Sequence, residues 1–146
     1  MNKDSFYLEV AYGLAGCQLV ERELKLYITA ALELVKECVG STVCFKMSGE
    51  DYAKSPLGRL IEIFNKLNNN EGLISKLEMF KKERNFLSHQ GITHCLDYNG
   101  ELFHPDVVEF QSRLGTIREV SEGLCIALSE EANKLIQFDD LTKQTS

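Results

Sequence analysis

The stretch Lys81-Lys82-Glu83-Arg84-Asn85-Phe86-Leu87-Ser88-His89-Gln90-Gly91 places polar side chains at the end of an apolar helix face, and it governs how the rest of the chain is interpreted. Arg84 occupies a position of the apolar stripe that a hydrophobic residue would otherwise fill. Because a guanidinium does not lose its charge, we expect an anionic partner, a water-filled crevice or a subunit interface beside it. The stripe advances in steps of four, three and seven, which is the spacing of one side of an α-helix: Leu73, Leu77, Phe80 and Leu87.

Three polar residues are expected to meet at the end of this helix. Asn85 and His89 are four residues apart, so they lie one above the other on a neighbouring face. Gly91 stands where a left-handed C-cap would end the helix. Arg84, Asn85 and His89 therefore converge within about one and a half turns.

The segment Arg84-Asn85-Phe86-Leu87-Ser88-His89 resembles the signature of HEPN domains, in which an Arg is followed by four to six residues and a His, often with Asn directly after the Arg. The resemblance implies a helical bundle that dimerises and brings two copies of the motif into one cleft. It also implies a metal-independent endoribonuclease of a toxin–antitoxin or defence system, with an antitoxin as a partner. Some members continue His-x-Tyr, whereas this chain reads His89-Gln90-Gly91, so modification of a tyrosine there is not expected.

RNA cleavage without a metal needs a base for the 2′-hydroxyl proton, an acid for the leaving oxygen and positive charge at the phosphorus. His89 suits proton transfer, Arg84 suits a phosphate clamp, and Asn85 would orient either group. We assign RNA binding to Lys81, Lys82 and Ser88 on the same helix, although the lysines also fit a solvated helix face with i to i+4 pairs. We expect no cofactor and no metal, because the set His89, His94, Cys95 and His104 matches no zinc spacing.

A second interpretation is a non-catalytic helical regulator. The chain is similar, over about half its length, to the mannitol operon repressor family, through Ile28–Leu34, the helix start Ser55-Pro56-Leu57-Gly58 and the same Arg-Asn…His segment. That resemblance requires no catalytic histidine. A third interpretation is an interaction bundle in which Arg84 is purely structural.

Composition limits the classes of function. Residues 1–146 fit one domain, and the net charge of −6 opposes a broad nucleic-acid surface, so any RNA contact should be local. The odd number of cysteines and the absence of a C-x-x-C pair or secretory signal indicate a cytoplasmic protein with free thiols. Cys17, Cys38 and Cys125 are expected to act as small core residues. No apolar run is long enough to span a membrane.

The whole pattern predicts an all-α fold, a four- to five-helix antiparallel bundle with two long helices that forms a homodimer. On the first helix the apolar sets include Val10, Leu14, Cys17, Leu24, Ile28, Ala31, Val35 and Cys38, with Glu21 the sole polar residue among them, and further sets that widen the surface beyond one face. Gly13 and Gly16 fit either a kink or a close backbone approach.

The predicted helices are separated by loops at 40–54 and 92–103, the latter with a turn at Tyr98–Glu101. Ser55 is expected as N-cap and Pro56 as the first helical residue. Residues 139–146 are expected to form a frayed polar tail. The predicted helices span Ser5–Val39, Ser55–Leu67, Glu71–Gln90 and His104–Phe138.

Overall fold

Four α-helices and two short helical turns account for most of the residues that the structure describes. The computed structural model describes residues 2–91, 95, 99–102 and 104–145. It confirms the predicted all-α bundle with two long helices. The α-helices are α1 (Lys3–Val39), α2 (Leu57–Leu67), α3 (Glu71–Phe86) and α4 (His104–Thr145), with a 3-10 turn at Gly49–Tyr52 and a π-helical turn at Leu87–Gly91.

The two long helices run in the same direction. Near their N-termini the rings of Phe6 and Phe110 lie 5.6 Å apart. Near their C-termini the carboxyl groups of Glu37 and Asp139 lie close enough together to raise the pKa of Glu37. The N-terminal parts of α1 and α4 therefore contact each other, and so do their C-terminal parts, which makes the two helices parallel.

The predicted antiparallel order describes α3 against its neighbours. Asn70, at the start of α3, bonds to Glu131 near the end of α4, and Glu83, at the end of α3, bonds to Arg113 near the start of α4. The short link Asn68–Asn70 likewise turns the chain back from α2 into α3.

The long connection between α1 and α2 explains the parallel arrangement. Its 3-10 turn begins at Gly49, which lies against Thr29, ten residues before the end of α1. The connection therefore runs back along α1 before α2 begins. Of the three apolar residues in the first half of this connection, Phe45 packs against the core, whereas Val43 and Met47 are exposed. Tyr52 of the 3-10 turn is buried.

Gly13 and Gly16 mark a close approach and not a break in α1. A Cβ on Gly16 would lie 2.5 Å from Oγ of Ser121, and a Cβ on Gly13 would lie 3.0 Å from a methyl of Leu114. Real Cβ atoms do not reach the first distance, so α4 packs on α1 more closely than a side chain at residue 16 permits.

The core follows the predicted stripes with one exception. Val35 and Cys38 are exposed, so the buried face of α1 ends at Leu32 and Cys38 is not a core residue. The predicted face of α3 is buried throughout, as is most of that of α4. The core residues on these two helices and the turn that follows α3 are Leu73, Leu77, Phe80, Leu87, Val107, Phe110, Leu114, Ile117, Leu124 and Leu128.

Three helix ends differ from the prediction. Pro56, and not Ser55, is the N-cap of α2, and no side chain caps that terminus. The α-helical part of α3 ends at Phe86, where the chain passes into the π-helical turn, so Gly91 does not cap it. At the far end, α4 continues to Thr145, because the polar tail supports a helix with an Asp139–Lys143 ion pair at 3.0 Å. Of the predicted turn at residues 98–101, Asn99 and Gly100 form a turn and Tyr98 lies outside the described residues.

A buried carboxylate ties three parts of the bundle together. Glu131 on α4 accepts hydrogen bonds from Asn68 at 3.1 Å and Asn70 at 2.9 Å, and Asn68 also donates to the Tyr27 hydroxyl of α1 at 3.0 Å. Burial raises the pKa of Glu131, but the bonds from the two asparagines and from Lys134 outweigh it, and the pKa lies below the ordinary value of 4.5. The charged form is therefore the one that the fold stabilises.

We predict that Glu131→Gln lowers the free energy of unfolding at neutral pH by about 1–3 kcal/mol, because the amide cannot accept every bond that the carboxylate accepts. Because the pKa of Glu131 is lower in the folded state, its carboxylate stabilises the fold at pH values above the unfolded-state pKa of about 4.3. This stabilisation is lost as the pH falls through the folded-state pKa. The difference between wild type and variant in urea titrations should therefore shrink below that pH. The exposed Glu130→Gln serves as control, and a constant difference down to pH 3 would contradict the assignment.

Candidate active site at the end of helix α3

Arg84 has the anionic partner that its place on the apolar stripe requires. Its Nη2 atom lies 3.7 Å from Oε1 of Glu21 on α1, and the two side chains are 30% and 20% exposed. Glu21 is the polar residue that interrupts the apolar sets of α1. The two exceptions to the hydrophobic pattern therefore face each other across the α1–α3 interface.

The other members of the predicted site are exposed at the same end of α3. Asn85 lies on its last α-helical turn, and Ser88 and His89 lie on the π-helical turn that follows. The buried Leu87 anchors this turn, because its methyl would be 3.4 Å from a Cβ on Gly13. Arg84, Asn85, Ser88 and His89 thus belong to one helical end that opens to solvent beside α1.

The two predicted RNA-binding lysines differ in their surroundings. Lys81 pairs with Glu78 one turn earlier, with Nζ and Oε2 at 2.8 Å. Lys82 is exposed and has no ion pair among the described residues. Lys82 is therefore the more available of the two cations.

A second polar contact holds this end of α3 against α4. The Arg113 guanidinium donates to both carboxylate oxygens of Glu83 at 3.0 Å and lies 3.4 Å from the ring centroid of Phe86. Such a two-pronged bond fixes the direction of both side chains. Sequence reasoning did not identify Arg113 as a partner for this segment, because no local pattern links residues 30 positions apart.

Beneath the ion pair lies a thiol that burial keeps neutral. Burial raises the pKa of Cys17 to about 11, which the positive charge of Arg84 only partly offsets and the charge of Glu21 reinforces. A thiol with this pKa is protonated at neutral pH and is a poor nucleophile. Cys17 therefore has a packing role, as predicted.

Within residues 2–91, 95, 99–102 and 104–145, no group of three or more His, Cys, Asp or Glu side chains is arranged to hold a metal ion. His94, which belonged to the set considered from the sequence, lies outside these residues.

In the described part of the chain, no helix is long and apolar enough to cross a membrane.

We found no match to the chain among protein-family models, curated proteins or solved structures. The case for a site at the end of α3 therefore depends on the residues themselves. Two features carry it. One is a half-buried cation beside an acidic partner, and the other is the exposure of Asn85 on the last α-helical turn and of Ser88 and His89 on the turn that follows.

We predict that Arg84→Ala destabilises the fold less than Leu77→Ala does. Leu77 is fully buried, so its truncation should cost about 2–5 kcal/mol. A partly exposed ion pair contributes about 1 kcal/mol or less, and a double-mutant cycle of Arg84→Ala with Glu21→Ala should give a coupling energy of that size. Denaturant titrations give the free energy of unfolding of the three single variants and of the double variant. A larger loss of stability for Arg84→Ala than for Leu77→Ala would make Arg84 part of the architecture.

Proposed function

We propose that the protein is a HEPN-like, metal-independent endoribonuclease that acts as a homodimer, with Arg84, Asn85 and His89 of each chain in a shared cleft. The observation that carries the proposal is that Asn85, Ser88 and His89 are exposed at the same helix end as the partly exposed Arg84. Polar side chains that are open to solvent at one helix end are available to a substrate. An Arg held only for packing needs no such companions.

An apolar surface on α1 supports the homodimer. The segment from Val10 to Val20 contains no charged residue, although α1 is a surface helix there. Ala11, Ala15 and Gln18 are exposed and extend this surface toward Glu21, which follows Gln18 by one turn. Large apolar side chains on α1 that are 40–55% exposed are Tyr7, Leu8, Tyr12, Leu19 and Leu26.

The geometry of this surface relates the dimer to the site. Because Glu21 pairs with Arg84, a second chain packed on the charge-free part of α1 adjoins the end of α3. In the proposed dimer the two-fold axis passes close to Glu21, so that the second copies of Arg84 and His89 face the first. One histidine can accept the 2′-hydroxyl proton while the other protonates the leaving oxygen, and Arg84 stabilises charge on the phosphorus.

The roles of the remaining residues follow from their exposure. Lys82 and Ser88 are free to contact RNA phosphates, while Lys81 first has to leave Glu78. No metal or cofactor takes part in this mechanism. An antitoxin would be the protein partner, and a cytoplasmic location follows from the substrate.

One observation favours the non-catalytic regulator, the second candidate. The Arg84–Glu21 pair by itself satisfies the charge of Arg84, as a structural residue requires. A regulator similar to mannitol operon repressors would keep this pair and need no histidine. The two candidates therefore differ in what happens when His89 is replaced.

We predict a stable homodimer that forms through α1. Light scattering at micromolar concentration should give about twice the chain mass of 16.5 kDa. Leu19→Glu should shift the mass toward the monomer, because it places a charge in the apolar surface. Ile126→Glu on α4 is the matched control, since Ile126 is also exposed. A wild-type mass near 16.5 kDa would remove the composite site.

We predict cleavage of RNA in excess chelator, with 2′,3′-cyclic phosphate ends, because the attacking group is the adjacent 2′-hydroxyl. His89→Ala should lower the rate by about 10²–10⁴-fold and leave the fold intact, since the side chain is exposed. DNA of the same sequence should stay whole.

The control for Arg84→Ala is Arg59→Ala. Arg59 also forms an ion pair, with Glu62 at 3.2 Å, but lies on α2. Arg84→Ala should abolish cleavage and toxicity, and Arg59→Ala should preserve both. If wild type, Arg84→Ala and His89→Ala behave alike at equal folded yield, the regulator replaces the ribonuclease as the function.

A further inference from the structure

A groove of about 640 Å³ lies between α3 and α4, on a different side of α3 from the Arg84–Glu21 pair. Its floor is formed by the buried side chains of Leu73, Phe80 and Leu124, and its edges carry Met79, which is 68% exposed, and Val120, which is 36% exposed. These side chains form an apolar channel at the surface of the protein. Apolar surface of this kind marks an interaction site when it is rimmed by polar residues.

Three of the six α4 residues that line the groove are small and leave room for another backbone. Thr116, Gly123 and Ala127 line it, and a Cβ on Gly123 would meet nothing within 4 Å. Open space above a helical glycine allows a second helix to approach closely. The groove is therefore shaped for a helix and not only for single side chains.

The dimensions of the groove fix the length of the occupant. Its walls run from Leu73 to Glu83 on α3 and from Thr116 to Ala127 on α4. At 1.5 Å per residue these segments are about 15 and about 17 Å long, which corresponds to roughly three helical turns. A short amphipathic helix with apolar residues at i, i+4 and i+7 fills such a groove.

The charge of the groove lies on the α3 edge. Lys76 and Lys82 are exposed and have no ion pair among the described residues, whereas Glu83 is neutralised by Arg113. The lining residues of α4 include no charged side chain. Two uncompensated lysines about 9 Å apart along α3 favour acidic residues on one edge of the bound helix.

We propose that the α3–α4 groove binds a three-turn amphipathic helix of a partner protein, with its apolar face on Phe80 and Leu124 and an acidic edge facing Lys76 and Lys82. RNA is disfavoured in this groove because its walls are apolar and nucleic-acid binding draws its affinity from a denser set of cations. The inference does not depend on the ribonuclease activity, but it shares Lys82 with the proposed RNA contacts.

The experiment uses the full chain and two labelled helical peptides of about 14 residues, with leucines at i, i+4 and i+7. One peptide carries glutamates along one edge of the leucine stripe, and the other carries lysines in the same places. Fluorescence anisotropy should show saturable binding of the acidic peptide and much weaker binding of the basic one. Equal binding of both peptides, or binding of neither, overturns the proposal.

Two variants test the location. Gly123→Leu fills the open space and should weaken the acidic peptide by about tenfold or more, since it removes the pocket for the apolar contacts. Gly115→Leu is the matched control, because a Cβ on Gly115 also meets nothing within 4 Å but the residue does not line the groove. Circular dichroism confirms that both variants fold. Equal peptide binding by both variants contradicts a site in the groove.

Charge exchange tests the orientation. The double variant Lys76→Glu with Lys82→Glu should lose affinity for the acidic peptide and gain affinity for the basic one, with a reversed dependence on salt. If the double variant loses affinity for both peptides, the proposed contact between the two lysines and an acidic edge of the bound helix is wrong. If Gly123→Leu instead lowers the mass of the protein in solution, the groove is an interface between two copies of this chain and the proposed partner is wrong.

Discussion

The close packing of α1 on α4 at Gly13 and Gly16 is the constraint on which the rest of the bundle depends. Gly16 accepts the Ser121 side chain where a Cβ would collide with it, and Gly13 meets both Leu114 of α4 and Leu87 after α3. Three elements therefore share one contact point. Because Leu87 begins the turn that carries Ser88 and His89, the glycine contact also sets the position of the candidate site.

A polar contact plays the matching role at the other end of the bundle. Asn68 and Asn70 end α2 and begin α3, and their side chains converge on Glu131 while Asn68 also reaches Tyr27 of α1. The link is short, so its backbone direction is fixed by these bonds. An apolar contact at one end and a charged one at the other thus hold α3 antiparallel to both long helices.

The sequence predicts the helices well because each carries a long apolar period. Local spacing of apolar residues was enough to predict the buried faces of α3 and α4 and to place Arg84 on the apolar stripe of α3. The direction of α1 relative to α4 was beyond such reasoning, because it depends on how residues 40–56 run. The π-helical turn at Leu87–Gly91 was missed for a related reason, since nothing in its side chains distinguishes it from an α-helical turn.

The partner of Arg84 shows where sequence reasoning stops. Both Arg84 and Glu21 were visible as polar residues on apolar stripes, but pairing them requires the register of α3 on α1. That register follows from the contact of Leu87 with Gly13, which places the end of α3 about three turns from the start of α1. When two charged residues of opposite sign, such as Arg84 and Glu21, interrupt two apolar stripes of one chain, they are therefore best considered as a possible ion pair.

The Arg84–Glu21 pair also determines what the proposed catalysis requires. At 3.7 Å and with both side chains partly exposed, the pair is weak, so a phosphate can replace the carboxylate at small cost. The same carboxylate repels a phosphate that approaches without displacing it. A substrate must therefore bind through Lys82, Ser88 and the second chain before it takes over Arg84. This requirement gives the proposed dimer a part in substrate binding, because Lys81 and Arg113 near this turn are already paired with Glu78 and Glu83.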